Sequence, residues 1–283
     1  MQRTATIKIN LACGTTFVIG DGWINLDYSA VHPAVKRADL LAPLALPDGG
    51  ASLVYSSHFL EHIPRNQVPK FLSECWRVLA PGGVLRFVLP DLEDLCRTYL
   101  RYRECGEHAK ADFLVLEMID QCVRRESGGE LGKLYRDLTA ARAQNLELIS
   151  FVRDRMGENL LAVRSSPSAA ASVSRWGAAM SLLSRKIISR AERLWIRAVM
   201  QLLPKAFRAQ NISMAAVGEC HQWIWDLEQL RTALLAAGFK EVSRVDASSS
   251  CLESFPFQPL DLDDDGRPRK GTESMYIEAR KPF

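Results

Sequence analysis

Three strings in this chain carry side chains suited to holding a polar small molecule. In the first, Ile7, Ile9 and Leu11 alternate with polar residues, and the alternation breaks at Ala12-Cys13-Gly14. In the second, Trp23 to Asp27 is an apolar run that closes on a carboxylate. In the third, Ser52 to Ser57 runs into His58-Phe59-Leu60-Glu61-His62. A glycine at a tight turn lets the backbone approach a ligand closely. An ionised carboxylate accepts hydrogen bonds on two oxygens and suits the paired hydroxyls of a ribose. An imidazole takes up protons near neutral pH.

These residues need elements to position them. The alternating and apolar runs read as β-strands at 7–11, 23–27, 35–40 and 52–57, with a buried central strand over Val84 to Leu89. Asn66 to Leu79 has apolar residues at helical spacing (Val68, Phe71, Leu72, Cys75, Val78, Leu79), and Pro81-Gly82-Gly83 stops the helix. Strands alternating with helices imply an α/β fold with a mostly parallel sheet. From about residue 92 to 210 only helical periodicity is visible, too long for a loop. The expected organisation is an α/β domain made of 1–105 and 211–283, carrying a helical insertion, or cap, at 106–210. Near the end, Asp226 to Ala237 reads as a helix, and Lys240 to Val245 and Ser274 to Ala279 as strands. Ligands in open α/β sheets bind outside the carboxyl ends of strands, where strand order reverses. That directs attention to Cys13-Gly14, Asp27, Asp39-Leu40, Ser57-His58 and Pro90-Asp91.

A glycine turn followed by an aspartate implies a ribose-bearing cofactor. A dinucleotide would need G-x-G-x-x-G and a helix N-terminus for its pyrophosphate. Cys13-Gly14-Thr15-Thr16-Phe17 offers one glycine and little room for a helix before the second strand. S-adenosylmethionine (SAM) has a ribose and no phosphate, so it fits the pattern better than NAD.

Longer strings sharpen this reading. Ile9-Asn10-Leu11-Ala12-Cys13-Gly14, Gly22-Trp23-Ile24-Asn25-Leu26-Asp27, Ser57-His58-Phe59-Leu60-Glu61-His62-Ile63, Leu79-Ala80-Pro81-Gly82-Gly83 and Val88-Leu89-Pro90-Asp91 together resemble class I SAM-dependent methyltransferases. The likeness is to the small-molecule branch with S-x-x-L-E-H-I and R-V-L-x-P-G-G. Ala237-Gly238-Phe239 and Tyr276-Ile277-Glu278-Ala279 are similar to its closing elements. The resemblance covers about 5–95 and 219–281 and leaves out the insertion.

It implies a Rossmann-like seven-stranded sheet with an antiparallel last strand. Ala12, Cys13 and Gly14 would face the methionine part of SAM, Asp27 the ribose, and Asp39 and Leu40 the adenine. Ser57, His58 and Phe59 would line the reaction side. Three departures stand out: a single glycine in the loop, a missing first crossover helix, and Ser52 where an acidic residue often opens the fourth strand. Methyl transfer needs mainly an aligned nucleophile, and a base helps a hydroxyl acceptor. His58 is the first candidate base, followed by His62 and His221. Asp91, His62, His221 and Trp223 are the candidate substrate contacts.

Other signals point elsewhere and are weaker. His58-Phe59-Leu60-Glu61-His62 matches H-x-x-E-H, a zinc-protease pattern. It requires both histidines on one helix face and a third ligand, whereas His58 ends a strand, so no metal is expected. Asp261-Leu262-Asp263-Asp264-Asp265-Gly266 starts like a calcium loop. Thr272 stands where the bidentate glutamate should be, and the segment reads as an acidic hairpin. Over 175–208, Lys186, Arg190, Arg193 and Arg197 share one helix face. Met180, Leu183, Ile187, Leu194, Ala198 and Leu202 follow the other. Such a helix could contact an anionic membrane or simply pack as a cap.

Net charge is only +3, which by itself gives no reason to expect a nucleic-acid partner. The seven cysteines include no C-x-x-C pair, as in a reducing compartment. With no apolar leader and no run of about 20 apolar residues, a cytoplasmic protein is expected, peripheral to the inner face of the membrane if the basic helix binds lipid. The resulting expectation is methyl transfer from SAM to a small molecule, a sugar or a lipid-linked glycan, at oxygen. The competing expectation is a catalytically inactive scaffold of the same fold, bound to a membrane surface or a partner protein.

Overall fold

Burial alternates along the strands in a way that defines two covered faces. In β4 (Ala51–Ser57), Val54 points to one side and Leu53 and Tyr55 to the other, and all three are buried. A computed structural model describes residues 7–20, 22–30, 32–161, 194–196, 198–215 and 218–283. Its sheet has seven strands: β1 (Ile7–Leu11), β2 (Trp23–Asp27), β3 (Val35–Arg37), β4, β5 (Leu79–Pro90), β6 (Lys240–Val245) and β7 (Ser274–Arg280). The order is β3-β2-β1-β4-β5-β7-β6. Strands β1 to β5 pair in parallel, and β7 runs antiparallel to both β5 and β6. This is the Rossmann-like α/β sheet that the sequence led us to expect. Chain order reverses between β1 and β4, so a crevice opens at their carboxyl ends.

One face is covered by α1 (Val68–Val78), through Phe71, Leu72 and Cys75, and by the helix Leu227–Ala236, through Leu230 and Leu234. The other face carries Leu53, Tyr55, Val84, Val88 and Tyr276 beneath Ala247, Phe255 and Leu260. No helix joins β1 to β2 among the described residues. Two buried amides brace the connection instead. The Asn10 side chain donates to the Thr16 carbonyl (3.1 Å), and the Asn25 side chain donates to the Val18 carbonyl (2.9 Å). Buried polar groups find partners, and here they are carbonyls of the loop between β1 and β2.

Two element ends differ from the sequence reading by more than two residues. The third strand stops at Arg37 instead of Leu40. The fifth begins at Leu79, which pairs with Ala51, so Pro81-Gly82-Gly83 is a register shift inside the strand. Proline removes only one donor, and Gly82 adopts φ +75°, so the strand bends through the segment without ending.

Past β5 come α2 (Leu92–Glu104), α3 (His108–Val123), α4 (Gly129–Ala140) and α5 (Leu146–Met156). Phe113, Leu131, Leu138, Ile149, Val152 and Met156 form a core of their own. These helices belong to the same compact unit as the sheet, which comprises 1–160 and 215–283. A second unit spans 161–214. In the second unit, residues 194–196 and 198–201 are helical, and Pro204 precedes the helix Lys205–Asn211. The basic face at Lys186, Arg190, Arg193 and Arg197 lies outside the described residues. No helix among the described residues is long and apolar enough to cross a membrane.

Candidate functional site

The carboxyl ends of β1 and β4 share an unusual backbone. Ala12, Gly14 and His58 have φ of +53°, +54° and +52°. Left-handed backbone at a non-glycine residue costs about 1–2 kcal/mol, and such strain gathers at functional sites. A cavity of about 230 Å3 opens between these strand ends, lined by Asn10, Ala12, Cys13, Gly14, Thr15, Thr16, Tyr55, Ser57, His58, Arg269 and Lys270. A Cβ on Gly14 would meet nothing within 4 Å, so this glycine is needed for its backbone angle and not to relieve a clash.

Asp27 closes the β2 end of the loop. One carboxylate oxygen accepts from the Gly14 N–H (2.9 Å), the other from the Ser29 N–H (2.7 Å). Each oxygen keeps lone-pair capacity for a further donor. Cys13 is buried beside it. Burial, and then the Asp27 charge, push the thiol up to about 12, so it stays a neutral wall of the cavity.

Burial dominates the β4 end. His58 follows β4, its N–H held by the Val88 carbonyl (2.8 Å). Its Nε2 lies 2.9 Å from Ser274 Oγ, and its Nδ1 lies 3.4 Å from Glu61 Oε1. Desolvation holds the His58 imidazole well below the ordinary histidine range, helped by Lys270, His221, Arg269 and His62. Glu61 is 0% exposed, and burial raises its carboxyl to about 8. His62, in the 3-10 turn Leu60–His62, donates from Nδ1 to the Cys220 carbonyl (3.0 Å). His221 stacks edge-on to it, with ring centroids 4.8 Å apart, and burial lowers its imidazole to about 3. Lys270 is pushed down by burial and by neighbouring Arg269, and Glu273 is pushed well up by burial and Glu117.

Thus Ala12, Cys13, Gly14, Ser57 and His58 share one cavity wall, with Asp27 bonded to it. The other candidates from the sequence lie elsewhere. Asp39 is exposed and accepts from the Leu41 N–H (3.0 Å), while Leu40 is buried in the core. Phe59 turns inward, edge-on to Phe71. Asp91 caps α2, accepting from the N–H groups of Glu93 and Asp94, and pairs with Arg244 at 2.7 Å. Trp223 donates to Gln229 and carries Arg65 over its ring. His62 and His221 pair with each other behind His58 and do not line the cavity.

Sequence reasoning missed Asn10, Thr15, Thr16, Tyr55, Arg269 and Lys270 as lining residues, and Glu61 as a buried acid. Arg269 reaches the site because its Nε donates to the Leu260 carbonyl (2.7 Å) and its Nη2 to Ser57 Oγ (3.3 Å). The only signal for it was the basic string that follows the acidic hairpin. That hairpin does form, with Leu262 bridging Pro268 and the Asp263 carboxylate accepting from the N–H groups of Asp265 and Arg267.

Residues 25–87 match the family model described as a methyltransferase domain. Among solved structures, the chain is similar to a SAM-dependent methyltransferase from Archaeoglobus fulgidus (12% identity over 98% of this chain and 87% of that one, TM-score 0.39). It is also similar to an S-adenosylmethionine-dependent methyltransferase from Mesorhizobium loti (14% identity, 98% and 91%, TM-score 0.37). A third, a "possible exported protein" from Bordetella parapertussis, is 12% identical over 99% of this chain (TM-score 0.38), and the chain spans 64% of its length. No curated protein matches the chain.

Proposed function

We propose that this chain, of which residues 25–87 match a methyltransferase-domain model, is a class I SAM-dependent methyltransferase that methylates an oxygen of a small molecule, a sugar or a lipid-linked glycan. The observation that carries the reading is the joint cavity at the ends of β1 and β4, with Asp27 bonded to the Gly14 turn on one side and His58 on the other.

The donor set fits the cofactor. Asp27 has acceptor capacity for ribose hydroxyls, the Ala12–Gly14 backbone lets a ligand approach, and Arg269 and Lys270 supply positive charge for the methionyl carboxylate. When bound, SAM supplies a methyl group already activated on a sulfonium. The protein's task is to align an acceptor and keep water away, which holding the reactants together accomplishes by effective concentration. Among the described residues, His58 is the one histidine that lines the cavity, and burial disfavours its charged form. We assign it the role of taking the acceptor's proton. His62 and His221 stand behind it. Asp39 would lie at the outer end, toward the adenine. The oxygen acceptor and its class rest on the family resemblance. Contact of the basic stretch 175–208 with an anionic membrane is part of the proposal for a lipid-linked acceptor.

The test is calorimetric titration of SAM into the wild type and into Asp27→Ala. Micromolar binding that weakens at least tenfold in the variant, about 1.4 kcal/mol, supports the reading. No binding by the wild type removes it, and the scaffold alternative takes its place.

A further inference from the structure

We propose that Glu61, His62 and His221 form a binding site for one divalent first-row transition-metal ion of the zinc, iron or manganese kind, behind the wall of the cofactor cavity. One ligand atom from each residue lies within 4.8 Å of the others. Metal–ligand bonds of about 2.0–2.2 Å put ligand atoms roughly 3–3.5 Å apart. The widest pair therefore needs to close by roughly 1.3–1.8 Å, within the reach of side-chain rotation.

Three observations point to a cation here. First, Glu61 is fully buried, and neither carboxylate oxygen has a hydrogen-bond partner. A buried polar group without a partner is costly, and a buried carboxylate commonly either pairs with a cation or takes a proton. Second, His62 is oriented as a ligand. Its Nδ1–H is committed to the Cys220 carbonyl, which leaves the Nε2 lone pair free and 3.8 Å from Glu61 Oε1. A backbone carbonyl behind the far ring nitrogen is the usual support of a metal-bound histidine. Third, the loop that carries His221 is tied to Glu61. The Gln222 and Trp223 N–H groups donate to the Glu61 carbonyl (2.7 and 3.2 Å), and the His221 N–H donates to Gln121 in α3 (3.0 Å). The ligands thus come from two well-separated segments already fastened together.

A neutral imidazole is the form that binds metals. Two nitrogens and one carboxylate oxygen favour a borderline transition ion over magnesium or calcium, which prefer all-oxygen shells. The trio differs from the H-x-x-E-H pattern in the sequence. His58 is engaged by Ser274, and the third ligand arrives from residue 221, far along the chain. Three protein ligands leave a fourth position open for solvent. The site stands on these residues whether or not the neighbouring cavity binds SAM.

The experiment uses the full chain, freed of metal by a chelator, titrated calorimetrically with ZnCl2 and separately with MnCl2. We expect one ion per chain with micromolar or tighter affinity. Binding should weaken at least about tenfold in Glu61→Gln, which is nearly isosteric, and in His221→Ala, with circular dichroism confirming that each is folded. Cys220→Ser should bind as the wild type does, which separates the site from thiol binding of zinc. Asp27→Ala should also bind metal normally while losing SAM, so failure of the cofactor reading and failure of the metal site give different results. Absence of binding at roughly 100 µM metal, or equal binding by Glu61→Gln and the wild type, overturns the proposal.

Discussion

Two groups of buried ionisable side chains sit against the same sheet and are satisfied very differently. Arg86, 0% exposed in the middle of β5, is pinned by Asp261 (2.7 Å) and Glu278 (2.8 Å) and donates to the Ser249 and Asp246 carbonyls. Phe255 and Tyr276 lie against the guanidinium. Its charge is matched on every side. Glu61, equally buried, has no hydrogen bond to either oxygen, and its nearest neighbours are imidazoles. A charge with a complete set of partners belongs to the framework. One without partners marks a place where the molecule is built for something besides stability.

The contrast breaks if both groups respond alike to replacement by an uncharged side chain. The largest effect is expected at the matched group. Arg86→Met leaves Asp261 and Glu278 buried without their cation and should lower stability by about 3–5 kcal/mol, measured by urea unfolding. Glu61→Gln in the metal-free protein at pH 6 should cost less than about 1 kcal/mol, because the carboxyl it replaces is already protonated there. A comparable loss at Glu61 would mean that it has partners after all.

The pH dependence sharpens the same point. The Glu61 carboxyl titrates near 8 when folded and near 4.5 in an unfolded chain. Between these values the folded state holds the extra proton, so this group's contribution falls as pH rises through that window, by a few kcal/mol at most. His221 acts oppositely. Its folded value of about 3 lies below the unfolded 6.5, so stability is lost as pH falls through that interval. The difference between wild-type and Glu61→Gln stability curves, from pH 6 to 8.5 with chelator present, should isolate the glutamate slope. Parallel curves would contradict the assignment.

A modest effect is expected at the β1 end, where backbone and not buried charge shapes the site. Gly14→Ala has space for its methyl but must hold φ +54°. It should cost about 1 kcal/mol of stability and weaken SAM binding only as far as the turn relaxes. Thermal unfolding and the same titration check both. A loss as large as that of Asp27→Ala would show that the turn, more than the carboxylate, carries the affinity.

Much of the β1 end was legible in the sequence because its information is local. Gly14 ends one strand and Asp27 the next, and parallel pairing of β1 with β2 places them together without further help. The β4 end was half legible. Ser57 and His58 follow directly from their strand. The burial of Glu61, the pairing of His62 with His221, and the arrival of Arg269 and Lys270 depend on contacts across most of the chain length. Arg86 was hidden differently. Within the apolar run of β5 it reads as an interruption, and only the fold supplies the two acids that make it tolerable there.

Periodicity and turn chemistry, read from residues a few positions apart, were enough for most of the strands, their mostly parallel character and the Gly14 turn. Tertiary structure alone decided which charged groups are buried, which of them have partners, and which three residues close around Glu61. Desolvation and pairing are properties of a place in the packed molecule, and no local pattern of residues encodes them.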